Sequence, residues 1–85
     1  MINTEDVCRK RLRYRSWHRG CKETDLLLGR FADEKLALLP ASQLAAYERL
    51  LDESDADIWD WLNGHDAPGQ YGELLEMLKC LVPSD

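Results

Sequence analysis

Apolar residues recur at helical spacing through nearly all of this 85-residue chain, and stretches that alternate apolar with polar residues are absent. β-Branched residues are scarce, so strands have little to build on. Breakers divide the helical pattern into about five short pieces: Gly20, Pro40, Asn63-Gly64, the loop Asp66-Ala67-Pro68-Gly69, and Pro83. The expected fold is therefore all-α, a compact bundle of about five short antiparallel helices.

The first helix starts at a cap on Asn3 or Thr4, with Glu5 and Asp6 in its positive first turn. It carries Val7, Cys8, Leu12 and Tyr14 among its arginines and ends between Trp17 and Gly20, a glycine that accepts the left-handed conformation. The second runs from about Lys22 to Ala37 and offers Leu27, Leu28, Phe31 and Leu36 to the core. Ser42 can cap the third, whose Leu44, Tyr47, Leu50 and Leu51 form a one-sided stripe. Ser54 or Asp55 caps the fourth, with Ile58, Trp61 and Leu62 inward and Trp59 on the opposite side. Tyr71, Leu74, Leu75, Leu78 and Leu81 share a face of the last, and Pro83 stops it.

A chain of this length is a single domain over residues 1–85, and it buries only about 60–65% of its extended surface. A deep enclosed active site is hard to build at that size, so the expectation is a binding protein and not an enzyme. Cys8, Cys21 and Cys80 are odd in number and form no Cys-x-x-Cys pair, which suggests neither a disulfide scaffold nor a zinc site. No apolar signal segment follows Met1, and no apolar run approaches the roughly 18 residues that span a bilayer. A reducing cytoplasm, without membrane insertion, is the expected setting.

The net charge of −5 is unevenly spread. From Met1 to Arg30 there are eight Lys/Arg against four acids, and from Phe31 onward three against twelve, giving +4 and −9. Two consequences are open: a basic face that docks something acidic, or a basic helix that neighbours acidic ones within the fold.

Arg19 and Glu23 lie four apart with Gly20 between them, directly ahead of Leu26-Leu27-Leu28. On a continuous helix they would form an exposed ion pair of about 0.3–0.5 kcal/mol, in the less favourable order. Gly20 would cost such a helix about 1 kcal/mol relative to alanine. The expected geometry is instead a turn that brings guanidinium and carboxylate onto one exposed corner, with Gly20 admitting another backbone. An arginine fork suits bidentate recognition, and Tyr14, Trp17 and His18 add the amphipathic contact area enriched in interface hot spots.

The Arg-Gly-x-x-Glu pattern at Arg19, Gly20 and Glu23, followed by Tyr47-Glu48-Arg49-Leu50-Leu51-Asp52-Glu53-Ser54-Asp55-Ala56-Asp57-Ile58-Trp59-Asp60-Trp61-Leu62, resembles the succinate dehydrogenase assembly factors that promote covalent flavin attachment. The likeness runs from about Arg9 to Leu62. It implies an assembly chaperone that binds the flavoprotein subunit of succinate dehydrogenase, or of fumarate reductase, while FAD is joined to that subunit. It also implies that the corner of Arg19, Gly20 and Glu23 meets the subunit near the flavin attachment site, with Asp25 in support and Tyr14, Arg15, Trp17 and His18 flanking. His18 stands where many relatives have a second arginine. Tight FAD binding by this chain itself is not expected. Mitochondrial relatives would carry a presequence, whereas the recognisable domain here starts within ten residues of Met1, so a bacterial cytoplasmic form is expected; a monomer is the expected state.

Other chemistries find little purchase. His18 and His65 have no ligand-spaced partners, and no phosphate-binding glycine loop is present. Asp55, Asp57, Asp33 and Glu34 lie on polar helix ends, where carboxylates stay ionised and serve poorly as general acids. Asp55 and Asp57 read most simply as cap and dipole partners of the fourth helix, and Cys21 as a spectator. The alternative function is a nucleic-acid binder using Arg9, Lys10, Arg11, Arg13 and Arg15 with Tyr14 and Trp17, or an antitoxin-like regulator. The acidic total and the spread of those cations around one helix count against nucleic acid.

Overall fold

The computed structural model describes residues 4–81, and the all-α expectation holds. Five α-helices follow in order: α1 (Thr4–Trp17), α2 (Lys22–Lys35), α3 (Ala41–Leu51), α4 (Asp55–Leu62) and α5 (Gly72–Lys79). Single 3₁₀ turns, Leu36–Leu38 and Gly69–Tyr71, precede α3 and α5, and no strand occurs among the described residues. Asn3 and Pro83 lie outside the described residues, as do the side chains of Thr4 and Glu5.

Three local expectations are corrected, one of them at α5, which ends at Lys79 ahead of Pro83 and leaves Tyr71 and Leu81 outside the helix. The second helix does not continue as α-helix to Ala37 but tightens into a 3₁₀ turn at Leu36. Leu39 precedes Pro40 and is held extended (φ −73°, ψ 133°), because the proline ring disfavours helix in the residue before it. Arg9 braces this turn: Nε donates to Leu36 O (3.3 Å), which also accepts from Leu39 N, and Nη2 donates to Leu39 O (3.1 Å). Ser42 does not cap α3. The N-cap position is Pro40, whose carbonyl accepts from Leu44 N at 2.9 Å, so Ser42 falls inside the first turn. At α4 the cap is Ser54, whose hydroxyl accepts from Asp57 N at 3.1 Å.

The core follows the helical stripes. Leu27, Leu28, Phe31, Leu36, Leu44, Tyr47, Leu50, Leu51, Ile58, Tyr71, Leu74, Leu75 and Leu78 are all buried. Of Val7, Cys8, Leu12 and Tyr14 on α1, only Leu12 is buried, and Val7 and Tyr14 stand exposed. Trp61 and Leu62 pack half-buried against the core, the Trp61 ring 5.7 Å from that of Tyr71. Burying side chains of this size contributes about 1.5–3 kcal/mol each, which offsets the entropy of ordering so short a chain.

One polar cluster lies inside this apolar interior. Ser16 Oγ lies 2.7 Å from Leu12 O and 2.6 Å from Tyr47 Oη, which in turn lies 3.3 Å from Leu28 O, so the two hydroxyl protons are shared among three contacts. Burial pushes the Tyr47 phenol up to about 12. The cluster ties α1, α2 and α3 together around a satisfied set of groups. It thereby fixes the end of α1 from which the next turn departs.

Candidate docking site

Helix α1 stops at Trp17, and the chain reverses through His18, Arg19, Gly20 and Cys21 into α2. Gly20 has φ +102°, a left-handed backbone that a side chain would strain, although a Cβ there would meet nothing within 4 Å. Asp25, in the first turn of α2, reaches back over the reversal: Oδ1 accepts from Arg19 N (2.8 Å) and Oδ2 from Gly20 N (3.3 Å). Cys21 occupies the N-cap position in an extended conformation, its carbonyl accepting from Thr24 Oγ1 (3.2 Å) and Asp25 N (2.8 Å).

The expectation that Arg19 and Glu23 share an exposed corner is corrected. The Arg19 side chain turns inward and is only 11% exposed. Its Nε donates to Asp55 Oδ1 (2.5 Å), Nη1 to Leu51 O (2.6 Å) and Nη2 to Glu53 O (2.6 Å). These carbonyls belong to the end of α3 and the loop beyond it, where helical partners run out and a positive charge is favoured. The physical reason is reach: the guanidinium fork finds two stranded carbonyls and a carboxylate together across the chain, a better set than one exposed acid four residues on. Asp55 is correspondingly more than a dipole partner of α4.

Glu23 is exposed on the first turn of α2. A hydrogen bond from its own backbone N–H and one from the Cys21 thiol (Sγ to Oε2, 3.4 Å) hold its carboxyl below the usual carboxylate range. It therefore stands as a fixed negative charge beside the turn.

The flanking residues divide. Tyr14 and His18 are exposed, their rings stacked at 4.2 Å. Arg15 pairs with Asp52 (2.6 Å) across to the α3–α4 loop. Trp17 is half-buried against Gly29 of α2, and its Nε1 donates to Asp33 Oδ1 (3.4 Å). Three open depressions surround the reversal. One of about 290 Å³ is lined by Tyr14, Arg15, His18 and Arg19. A second, about 370 Å³, lies among Trp17, Gly20, Lys22, Asp25 and Leu26. The third, about 490 Å³, separates α2 from α4 and is lined by Cys21, Glu23, Thr24, Asp55, Ala56 and Trp59. Trp59 is 39% exposed, on the side its spacing predicts.

Three of the basic residues near the N-terminus, Arg9, Arg15 and Arg19, thus bond within the fold, while Lys10, Arg11 and Arg13 stand exposed. Sequence reasoning missed the reach of Arg15 and Arg19 to the acidic loop. The opposed charge of the two regions was the available signal. It also missed the Trp17–Gly29 contact, for which the sequence carries no local sign. Among the described residues no group of three His, Cys, Asp or Glu is placed to hold a metal, and no helix is long and apolar enough to cross a membrane.

Comparison with known proteins adds a family to this geometry. The model of the family described as Sdh5, flavinator of succinate dehydrogenase, matches residues 10–82. The chain is 45% identical over 69 residues to "Succinate dehydrogenase assembly factor 2, mitochondrial" of Schizosaccharomyces pombe, covering 80% of this chain and 50% of that protein. It is 50% identical over 58 residues to the protein of that name from Lodderomyces elongisporus (68% and 35%). To the one from Aspergillus terreus it is 52% identical over 60 residues (71% and 20%). The chain thus spans half or less of the length of these relatives.

Proposed function

The chain belongs to the Sdh5 family, the flavinators of succinate dehydrogenase, and on that premise we propose that it is an assembly factor for covalent flavin attachment. It binds the flavoprotein subunit of succinate dehydrogenase, or of fumarate reductase, and promotes the joining of FAD to that subunit. The observation that carries this reading is the family match, which takes in the helical core and the whole reversal from Trp17 to Asp25.

The bond-forming chemistry belongs to the flavin and the subunit, and this chain supplies binding. By preferring a client conformation in which flavin and attachment residue are aligned, it raises the population of that state. A finished holo-subunit must then be bound less well, or be taken over by the next partner in assembly. No catalytic group of its own and no tightly held cofactor is part of this reading. The chain acts as a monomer in a bacterial cytoplasm.

The client surface is the reversal itself: Gly20 and Glu23 at its crest, His18 and Tyr14 on one side, Trp59 on the other, with Arg15, Trp17, Arg19 and Asp25 shaping it from below. Its support is that Gly20, Glu23, His18, Tyr14 and Trp59 are all exposed. Covalent flavin on the subunit, read by in-gel fluorescence in cells lacking this protein, tests the proposal. Wild type, Gly20→Arg and Glu23→Ala are each supplied back. Fluorescence lost on deletion and restored only by wild type supports both function and site. Undiminished flavinylation without the protein overturns the function.

A further inference from the structure

We infer that Arg19 is a positioning residue that locks the docking turn from within, leaving contact with the client to the exposed groups around it. The inference rests on the docking role proposed above. It starts from an arginine held at both ends. Its backbone N–H is bound by Asp25 of α2, and its guanidinium by Asp55 and the carbonyls of Leu51 and Glu53. Swinging this group out to a partner would strand two carbonyls and a half-buried carboxylate, each of which would need a new donor. The same bonds connect the reversal to the start of α4, so they hold Glu23 and Trp59 on opposite walls of one depression. The long-range link between residues 19 and 55 thus sets the shape that the client meets.

The test uses Arg19→Gln, Arg19→Lys, Asp55→Asn and the double variant Arg19→Gln/Asp55→Asn. Two readouts are taken: hydrogen exchange of the Gly20 and Cys21 amides in the free protein, and affinity for the isolated flavoprotein subunit of succinate dehydrogenase. Loss of charge-assisted bonds of this kind shifts such equilibria by about tenfold or more. Asp55→Asn is expected to move both readouts in the direction of the Arg19→Gln defect, by less because both carbonyl bonds remain, with the double variant no worse than Arg19→Gln alone. Amides of α5 should keep their protection. Arg19→Lys should fail like Arg19→Gln, because an ammonium cannot span the three acceptors.

Wild-type affinity in Asp55→Asn beside lost affinity in Arg19→Gln would overturn the inference and make Arg19 a direct contact. Losses that multiply in the double variant, or turn amides unmoved by either change, would also overturn it. Should Arg19→Gln fail to fold, Asp55→Asn decides alone, since it leaves both carbonyl bonds in place. If the wild-type protein does not bind the subunit, the proposed function fails, and the exchange readout still decides whether Arg19 locks the turn.

Discussion

The indole of Trp17 on α1 fills the space that a side chain at Gly29 on α2 would need: a Cβ built there would lie 2.2 Å from Trp17 Cδ2. This is how α1 and α2 pack closely just before the reversal that joins them. Gly29→Ala should gain about 1 kcal/mol of helix propensity yet lose more through displacement of the ring. The expected net effect is a loss of about 1–2 kcal/mol, measured by urea unfolding. In a Trp17→Ala background the same change should turn stabilising. A stabilising Gly29→Ala in the wild-type background would refute the packing account.

Gly20 presents the opposite case. Nothing surrounds it, so any cost of substitution comes from its φ of +102°. Gly20→Ala should destabilise by about 1–2 kcal/mol through backbone strain, without disturbing the core. Near-UV circular dichroism unchanged from wild type, with a lowered thermal midpoint, is the expected pair of results.

The two ion pairs reaching the α3–α4 loop should differ in strength. Arg15–Asp52 is exposed, with side-chain exposures of 35% and 69%, so Asp52→Asn should cost less than about 1 kcal/mol. Arg19–Asp55 is largely shielded at 11% and 28%, and Asp55→Asn should cost about 2–3 kcal/mol. Chemical denaturation of the two variants in parallel checks the order. Equal costs would contradict it.

Tyr47 makes stability sensitive to alkali. Burial raises its pKa in the folded state to about 12, from an ordinary value of 10.0. The folded protein therefore holds its phenol proton more tightly than the unfolded chain does. The associated stability is complete below about pH 10 and is lost as pH rises toward 12, by up to about 3 kcal/mol. Tyr71 is shifted the same way, chiefly by burial, and adds to the slope. Tyr47→Phe should lower stability at pH 8 by about 1–2 kcal/mol and flatten its decline between about pH 10 and 12, as read by urea midpoints.

Glu23→Ala and Trp59→Ala are expected to leave the thermal midpoint within a few degrees of wild type, because both side chains are exposed. Each should weaken binding to the flavoprotein subunit by about thirtyfold or more, the usual scale for an interface hot spot. Calorimetric titration with purified subunit separates these contact variants from folding defects.

Much of the fold was legible because helical spacing and burial are the same physics. Leu44, Tyr47, Leu50 and Leu51 read as one stripe, and all four are buried. The reversal was legible through Gly20, since a glycine between a basic helix and an apolar run has few other uses. The destination of Arg19 was not. Local rules offer it Glu23, four residues away, while its actual partners lie 32 to 36 residues on. The start of α3 was misread for a similar reason, since Ser42 has good capping chemistry but Pro40 has the fixed backbone.

The bond from Arg19 to Asp55 has a practical corollary for anyone who would borrow this motif. A short peptide copied from Tyr14 to Asp25 would carry every letter of the signature and the Asp25 brace on its backbone, yet nothing to hold the Arg19 guanidinium, whose partners come from the far half of the molecule. On the docking role proposed above, a chain clipped before α4 would keep the signature and lose Asp55, and with it the ion pair that seats Arg19.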